Sequence, residues 1–384
     1  MLIDTWTVVG PGTRVVVAMS GGVDSSVAAA LLVERRCDVV GITMKNFCYA
    51  EVPEELAAAA CCSLEAIEDA RAVARRLGIR HHVLDFEGPF REAVIDPFVE
   101  EYAAGRTPNP CVRCNRFVRF PQLWQKARLL GAEFVATGHY ARAARAVHHG
   151  QDGQAEAPGE VRLLRPLDRA KDQTFYLWGL GRPLLERALF PLGGLTKEAV
   201  RARARTLGLA TADKPESQDI CFIPDGDLRG FLERQRHDRP DLDTERFAPG
   251  PVVTTSGERV GTHPGSAFFT VGQRRGLGVT ADRPLYVTAV APGNTLVVGD
   301  QDDLRADGLE AGDVNWLVAT PASPFRAAVR IRYRAPAIEA EVLPGPSRTV
   351  RVRFAEPQHA VAPGQSAVFY DGDRVLGGGT IAGR

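Results

Sequence analysis

Two rhythms divide the chain. Up to about residue 224, short apolar runs at 14–19, 39–44, 82–86 and 134–137 show no in/out alternation, the pattern of strands buried on both faces of a parallel sheet. Between and after them, residues 24–36, 64–77, 123–130 and 196–207 carry helical spacing, with Gly78, Gly131 and Gly208 placed where helices stop. Asp24 or Ser25 falls near the N-cap of the first helix. This alternation predicts a doubly wound α/β domain. Residues 148–159 are polar and read as an exposed loop or hairpin tip. Past residue 224, β-branched runs take over at 252–255, 268–271, 285–290, 295–298, 327–333, 338–342, 349–354 and 366–370. Gly, Pro and Asp punctuate them, the signature of small β-barrels or sandwiches. The expected domains are 1–224 (α/β), 225–305 (β-rich) and 306–384 (a C-terminal β-barrel).

A chain of 384 residues with 45% hydrophobic content can bury more than one core. No stretch approaches the roughly 20 apolar residues of a membrane helix, and residues 1–14 lack a signal or transit pattern. A cytoplasmic protein is expected. Lys+Arg and Asp+Glu are 47 each. With no net charge, any nucleic acid must be gripped by local patches. Seven cysteines are an odd number and are not spaced as a disulfide framework, so buried, catalytic or metal-binding roles are expected.

The run Val15–Val17 leads into Ala18, Met19, Ser20, Gly21, Gly22, Val23, Asp24, Ser25 and Ser26, then into alanines. A strand that ends in paired glycines before a helix N-terminus is an anion site. The glycine backbone allows close approach, and the N–H groups and helix dipole favour phosphate. No lysine follows the glycines, so the string is neither a GxxxxGK(S/T) loop nor GxGxxG. It resembles the PP-loop of the ATP pyrophosphatases. That resemblance implies that ATP is split to AMP and pyrophosphate, that a carbonyl oxygen of the substrate is adenylated, and that Ala18 to Ser25 line the triphosphate. The hydroxyls of Ser20, Ser25 and Ser26 would add donors.

Cys111 and Cys114 stand at CxxC spacing behind Thr107-Pro108-Asn109-Pro110, and Cys221 lies within Ser217-Gln218-Asp219-Ile220-Cys221-Phe222-Ile223-Pro224. Each sits among polar and rigid residues outside any apolar face, the accessible setting a reactive thiolate needs. Cys37, behind a helix, reads as packing. The adjacent Cys61 and Cys62 point different ways, and Cys48 falls in a loop after the second strand.

Together with Ala136-Thr137-Gly138-His139-Tyr140, Lys171-Asp172-Gln173 and Thr270 to Gly278, these strings resemble those of the bacterial tRNA-specific 2-thiouridylases, in the same order along nearly the whole chain. The resemblance implies sulfur transfer to uridine 34, the wobble base, of tRNAs for Lys, Glu and Gln. It implies ATP with Mg2+, a persulfide on Cys221, and Cys114 as the thiol that assists sulfur release and ends in a disulfide. It also implies a persulfide-donor protein as partner; no membrane partner and a monomer or weak dimer are expected. Some members carry Asp where this chain has Cys111. With a thiol there, Cys111, Cys114 and Cys221 form a set that suits a 4Fe–4S cluster with one open iron. Persulfide relay and cluster-borne sulfide therefore both stand open. Zinc also suits CxxC, but no four-ligand set is visible.

The same resemblance places Met44 against adenine and Gly138 at the nucleotide. It places Asn109, Pro110 and Cys111 at the target base, and Lys171, Asp172, Gln173, Arg332 and Tyr333 on tRNA. Basic groups that could hold phosphates cluster at Arg113, Arg116 and Arg119, and on the helix with Arg201, Arg203 and Arg205. A third cluster is Arg330, Arg332 and Arg334, which alternate onto one face of a strand. His139 is either catalytic or a loop histidine held by hydrogen bonds. Two other readings remain. One is a PP-loop ligase or amidotransferase acting on a small metabolite, against which the loop cysteines and β-rich tail argue. The other is a non-catalytic RNA-binding or cluster-carrying protein, against which the intact loop argues.

Overall fold

The computed structural model describes residues 2–47, 64–146, 160–215, 220–237, 239, 242, 245–279 and 281–384. Cys48, Cys61, Cys62, Ser217 to Asp219 and the 148–159 loop lie outside the described residues. Contacts divide the chain into two units. The first comprises residues 1–93, 111–226 and 373–375, and the second comprises 94–110, 227–372 and 376–384.

The first unit is built on five parallel strands: β1 (Arg14–Ala18), β2 (Asp38–Lys45), β3 (Arg80–Asp85), β4 (Phe134–Ala136) and β5 (Ala188–Leu189). Their order is β3-β2-β1-β4-β5. Its principal helices are α1 (Val23–Glu34), α2 (Leu64–Leu77), α3 (Phe120–Leu129) and α4 (Lys197–Thr206). Val15, Val16 and Val17 of the central strand are fully buried, as their unbroken apolar run requires. In α1, Val27, Ala28, Ala29, Ala30 and Leu32 are all buried, because the helix is covered on more than one side. The helix starts at Val23 with Gly22 as its N-cap, which puts Asp24 and Ser25 in its first turn. Helix α2 buries Ala66, Ile67, Ala70, Val73 and Ala74 at three- and four-residue spacing and stops before Gly78, whose φ is +67°. Helix α4 is capped by Thr196, whose side chain accepts the Ala199 N–H at 3.2 Å.

The second unit is β-rich. Four strands, Gly250–Thr254, Arg259–His263, Tyr286–Ala291 and Thr295–Gly299, form one sheet around Val252, Val287, Leu296 and Val298. Strands Arg305–Trp316, Val350–His359, Ile338–Pro344, Phe325–Arg330, Ser366–Asp371 and Arg374–Gly383 pair in that order, and the last also pairs with the first, which closes a barrel. Two expectations fail here. The 268–271 run is not a strand: Ser266–Phe268 is a 3₁₀ turn, and Phe269 fills the core from a loop. The strand at 327–333 stops at Arg330, so Arg330, Arg332 and Arg334 do not share a strand face. A helix, Leu228–His237, also lies where none was expected. Among the described residues no helix is long and apolar enough to cross a membrane.

Candidate active site

The turn between β1 and α1 is a glycine-dependent loop. Gly21 has φ +70°, and a Cβ there would stand 2.1 Å from the Ala66 carbonyl oxygen. Gly138, just past β4, backs onto the same turn: its Cβ would lie 2.7 Å from Asp24 C and from Ser25 N. The two loops meet because β1 and β4 are neighbours, with Val17 opposite Ala136. This is where the strand order reverses, and open α/β sheets bind ligands beyond the carboxyl ends of strands at such a point. The loop is braced from within. Ser25 Oγ accepts the Ser20 N–H at 3.2 Å and donates to Gly22 O at 3.1 Å. Ser26 Oγ donates to Gly22 O at 2.8 Å and accepts from Thr211 Oγ1 at 3.2 Å. Ser26 is buried, so the hydroxyl expected as a phosphate donor is an internal brace, whereas Ser20 stays exposed.

The loop's acidic residue has a cation of its own. Lys197 Nζ, from the first turn of α4, lies 2.8 Å from both carboxylate oxygens of Asp24. Tyr140 Oη donates to the same carboxylate at 2.9 Å. The Lys197 side chain is only 11% exposed, and its backbone N–H is fixed by Asp168 Oδ2 at 2.9 Å. Neither Lys197 nor Asp168 was singled out from sequence. Tyr140 is in turn fixed by Gln173: the Tyr140 N–H donates to Gln173 Oε1 at 2.8 Å, and the Gln173 N–H donates to Tyr140 O at 3.0 Å. Asp172 is buried. It accepts from Arg165 Nε at 2.7 Å and from the Thr174 N–H and hydroxyl at 3.0 and 2.6 Å. Asp172 thus shapes this loop from inside, while Lys171 is half-buried at the end of the turn Arg169–Lys171.

The cysteine segments share an anchor. Cys114 opens a six-residue π-helical stretch, Cys114–Arg119, and is buried; such stretches are rare and concentrate at functional sites. Just before it, Arg113 Nε donates to Ala93 O at 2.9 Å. Cys221 is half-buried in a turn closed by the Ile223 N–H on Ile220 O at 2.8 Å, and the buried Phe222 packs edge-on against Phe90 at 5.8 Å. Both segments therefore hang on the residues Phe90 to Ala93. Cys111 is exposed whereas Cys114 is buried. Among the described residues, which include all three of these thiols, no group of three or more His, Cys, Asp or Glu is placed to hold a metal ion. Cys37 packs partly buried against the main core, and burial pushes its thiol up.

His139 is held rather than presented. It is buried against Phe120 and Phe190. Thr137 Oγ1 lies 2.8 Å from Nδ1, and Arg119 Nη1 lies 3.4 Å from Nε2. Arginine can only donate, so Nε2 accepts and the proton sits on Nδ1. Burial first, and the Arg119 charge second, push its pKa down to about 3. The unfolded histidine, near 6.5, binds a proton that the folded one refuses. Stability is therefore fully present above pH 6.5 and is lost as pH falls toward 3, by about 1.4 kcal/mol per pH unit for this group. His139→Phe removes the titrating ring and keeps the aromatic packing. Unfolding by urea across pH 4 to 7 is expected to show a flatter acid limb than wild type, and an unchanged limb would refute this account.

Met44, one residue before the end of β2, is buried opposite Leu84. The three arginines of α4 are engaged within the unit. Arg201 donates to Ala212 O and Lys214 O at 2.8 and 3.2 Å, Arg203 pairs with Glu34, and Arg205 pairs with Asp213 at 2.9 Å. Beside the cysteines the surface differs. Phe117, 40% exposed, has the guanidinium carbons of Arg113 and Arg116 at 5.1 and 4.8 Å from its ring centre. In the second unit, Arg332 is exposed and donates to His359 O at 3.2 Å, Tyr333 is half-buried, and the buried Arg330 donates to Tyr333 O.

A family model described as tRNA methyl transferase HUP domain matches residues 13–225. One described as tRNA methyl transferase PRC-barrel domain matches 243–300, and one described as aminomethyltransferase beta-barrel domain matches 306–381. Proteins named tRNA-specific 2-thiouridylase MnmA are 47% identical in Symbiobacterium thermophilum and 48% identical in Heliobacterium modesticaldum, each over 96% of this chain and 92% of the relative. Among solved structures, a 4-thiouridine synthetase–RNA complex with bound ATP shares 18% identity at a TM-score of 0.34, covering 60% of this chain and 52% of that one. With close relatives matched along nearly its whole length, the chain belongs to the tRNA-specific 2-thiouridylase MnmA family.

Proposed function

We propose that this protein is a tRNA-uridine 2-sulfurtransferase that activates uridine 34 of the Lys, Glu and Gln tRNAs with MgATP and replaces its C2 oxygen by sulfur. The observation that carries the reading is that one α/β unit holds both an anion loop at the sheet's switch point and two cysteine segments hung on a single turn. The first supports adenylation and the second supports sulfur transfer.

The C2 carbonyl oxygen attacks the α-phosphorus of ATP and pyrophosphate leaves. The loop from Ala18 to Ser25, with Gly138 behind it, receives the triphosphate, and Met44 borders the adenine. The terminal sulfur of a Cys221 persulfide then attacks C2, and AMP departs with the original oxygen. The Cys114 thiolate attacks Sγ of Cys221. The S–S bond of the adduct breaks, the electron pair stays on the transferred sulfur as 2-thiouridine forms, and Cys114 and Cys221 are left as a disulfide. Two thiolates have supplied the two electrons, so a thiol reductant and a persulfide-donor protein restore the enzyme. Asn109, Pro110 and Cys111 border the target base. Lys171, Gln173, Arg332 and Tyr333 face the tRNA, and the exposed Phe117–arginine cluster offers a plane on which an unpaired base stacks. The domains are 1–224, 225–305 and 306–384, and the site of action is the cytoplasm, where tRNA is.

The test is incubation of the protein with labelled ATP, a persulfide donor and unmodified tRNA. One AMP and one pyrophosphate per 2-thiouridine are expected, with no turnover on free amino acids. ATP turnover with a small carboxylate or amine but not with tRNA would instead establish the ligase reading.

A further inference from the structure

Residues 94–110 leave the α/β unit and pack with the β-rich one. Helix Asp96–Ala103 buries Phe98 against Phe231, and Gly105 (φ +75°) turns the chain where a Cβ would press on Val290 and Arg246 at 2.9 Å. The loop that follows, Arg106 to Pro110, is held at almost every polar backbone atom it has near Thr107. The Thr107 N–H donates to Pro363 O at 2.8 Å. Gln365 Nε2 donates to Thr107 O at 2.9 Å and to Pro108 O at 3.3 Å. Gly364 (φ +90°) lets the two segments touch, since a Cβ there would stand 2.8 Å from Thr107 C and O. From the other β-domain, Thr270 Oγ1 accepts the Thr107 hydroxyl at 3.1 Å. Pro108 and Pro110 stiffen the same stretch and cannot donate hydrogen bonds themselves. A mere connection does not need its carbonyls claimed by one domain and its hydroxyl by another.

We propose that the turn Pro363–Gln365 and Thr270 form a clamp whose task is to position Asn109–Cys111 for the target base. Gln365, Gly364 and Thr270 are positioning residues, acting through Thr107 and Pro108. This rests on the proposed function, and it gives the two β-rich domains a part in holding the loop that carries Asn109 and Pro110. The clamp also accounts for the Thr270 end of the Thr270–Gly278 string, which the chemistry above leaves unused.

The experiment uses the full chain with Gln365→Leu, Gln365→Glu, Thr270→Val and Gly364→Ala. Three quantities are read: the single-turnover thiolation rate at saturating ATP and tRNA, the tRNA dissociation constant, and amide hydrogen exchange over residues 105–112. Gln365→Glu keeps the shape and loses the donor. It is expected to slow thiolation about 10- to 100-fold, the scale on which small misplacements act, as does Gln365→Leu. tRNA affinity is expected to stay within about 2-fold, and exchange at Thr107 to rise. Gly364→Ala is expected to show the largest loss, and if it fails to fold the two Gln365 variants still decide. A rate unchanged in them, or a loss of tRNA affinity equal to the loss of rate, overturns the proposal; the latter outcome would make Gln365 a direct RNA contact. The exchange measurement needs no activity. A wild type that does not thiolate tRNA refutes the functional reading, while unchanged exchange at Thr107 refutes the clamp.

Discussion

Cys114→Ala and Cys221→Ala are each expected to lower 2-thiouridine formation by about 10³-fold or more, since each removes a covalent participant rather than a binding contact. Cys111→Ala is expected to keep most of the wild-type rate. The asymmetry follows from placement. Cys221 sits in a turn fixed by Phe222 on Phe90, and Cys114 opens the π-helical stretch fixed by Arg113 on Ala93. Cys111 is exposed one helical turn earlier. A relay needs two thiolates, whereas a cluster needs all three. The proteins are purified without oxygen and assayed for iron as well as for thiolated tRNA. Iron near four per chain, the content of such a cluster, together with inactivity of Cys111→Ala, would overturn the relay. The Ala variants of Cys114 and Cys221 should still bind ATP, because the nucleotide loop is braced by Ser25, Ser26 and Thr211 and not by either cysteine.

How far the sequence reveals this arrangement depends on whether a residue's partner is local. Four of the five core strands were legible because unbroken apolar runs need cover on both faces, whereas the two-residue strand Ala188–Leu189 was not; the loop was legible because glycine pairs before a helix have few other uses. Lys197 was not, since its partner Asp24 is 173 positions away and a lysine in an arginine-rich helix reads as solvated. One signal was present: a cation in the first turn opposes the helix dipole and so calls for a carboxylate. The strands Arg305–Trp316 and Arg374–Gly383 escaped notice because the first carries two Gly and two Asp and the second four Gly. Their glycines answer to tertiary contact, for a Cβ on Gly377 would meet Asn315 O at 2.4 Å. Propensity gives way there to close packing of neighbouring strands. Likewise, a strand over 268–271 was expected because Phe268 and Phe269 are apolar. They reach the core from a 3₁₀ turn and a loop, a placement that apolar content alone cannot distinguish from a strand.

Gly21→Ala is expected to abolish ATP-dependent turnover, with a loss of about 100-fold or more in kcat/KM for ATP, whereas Gly22→Ala leaves the fold intact. The two glycines are adjacent but differ physically. At Gly21 the backbone is left-handed, and the added Cβ would fall 2.1 Å from the Ala66 carbonyl, well inside contact distance and against backbone that cannot rotate away. Either the loop or the first turns of α2 must move, and a displacement of about 1 Å at a phosphate loop costs on the order of 10²-fold. At Gly22 φ is −97°, an ordinary value, and the nearest atom to an added Cβ is Ser20 Oγ at 3.6 Å. Any loss in Gly22→Ala therefore reports on how closely phosphate approaches the backbone, since the apo loop accommodates the methyl group. Thermal melting with and without ATP separates the cases. Gly21→Ala should lose the ATP-induced rise in Tm along with some of its basal Tm, while Gly22→Ala should keep the basal Tm. Equal basal Tm and equal turnover for Gly21→Ala and wild type would mean that the close approach to Ala66 is dispensable, and with it the account of this loop as a nucleotide site shaped by α2.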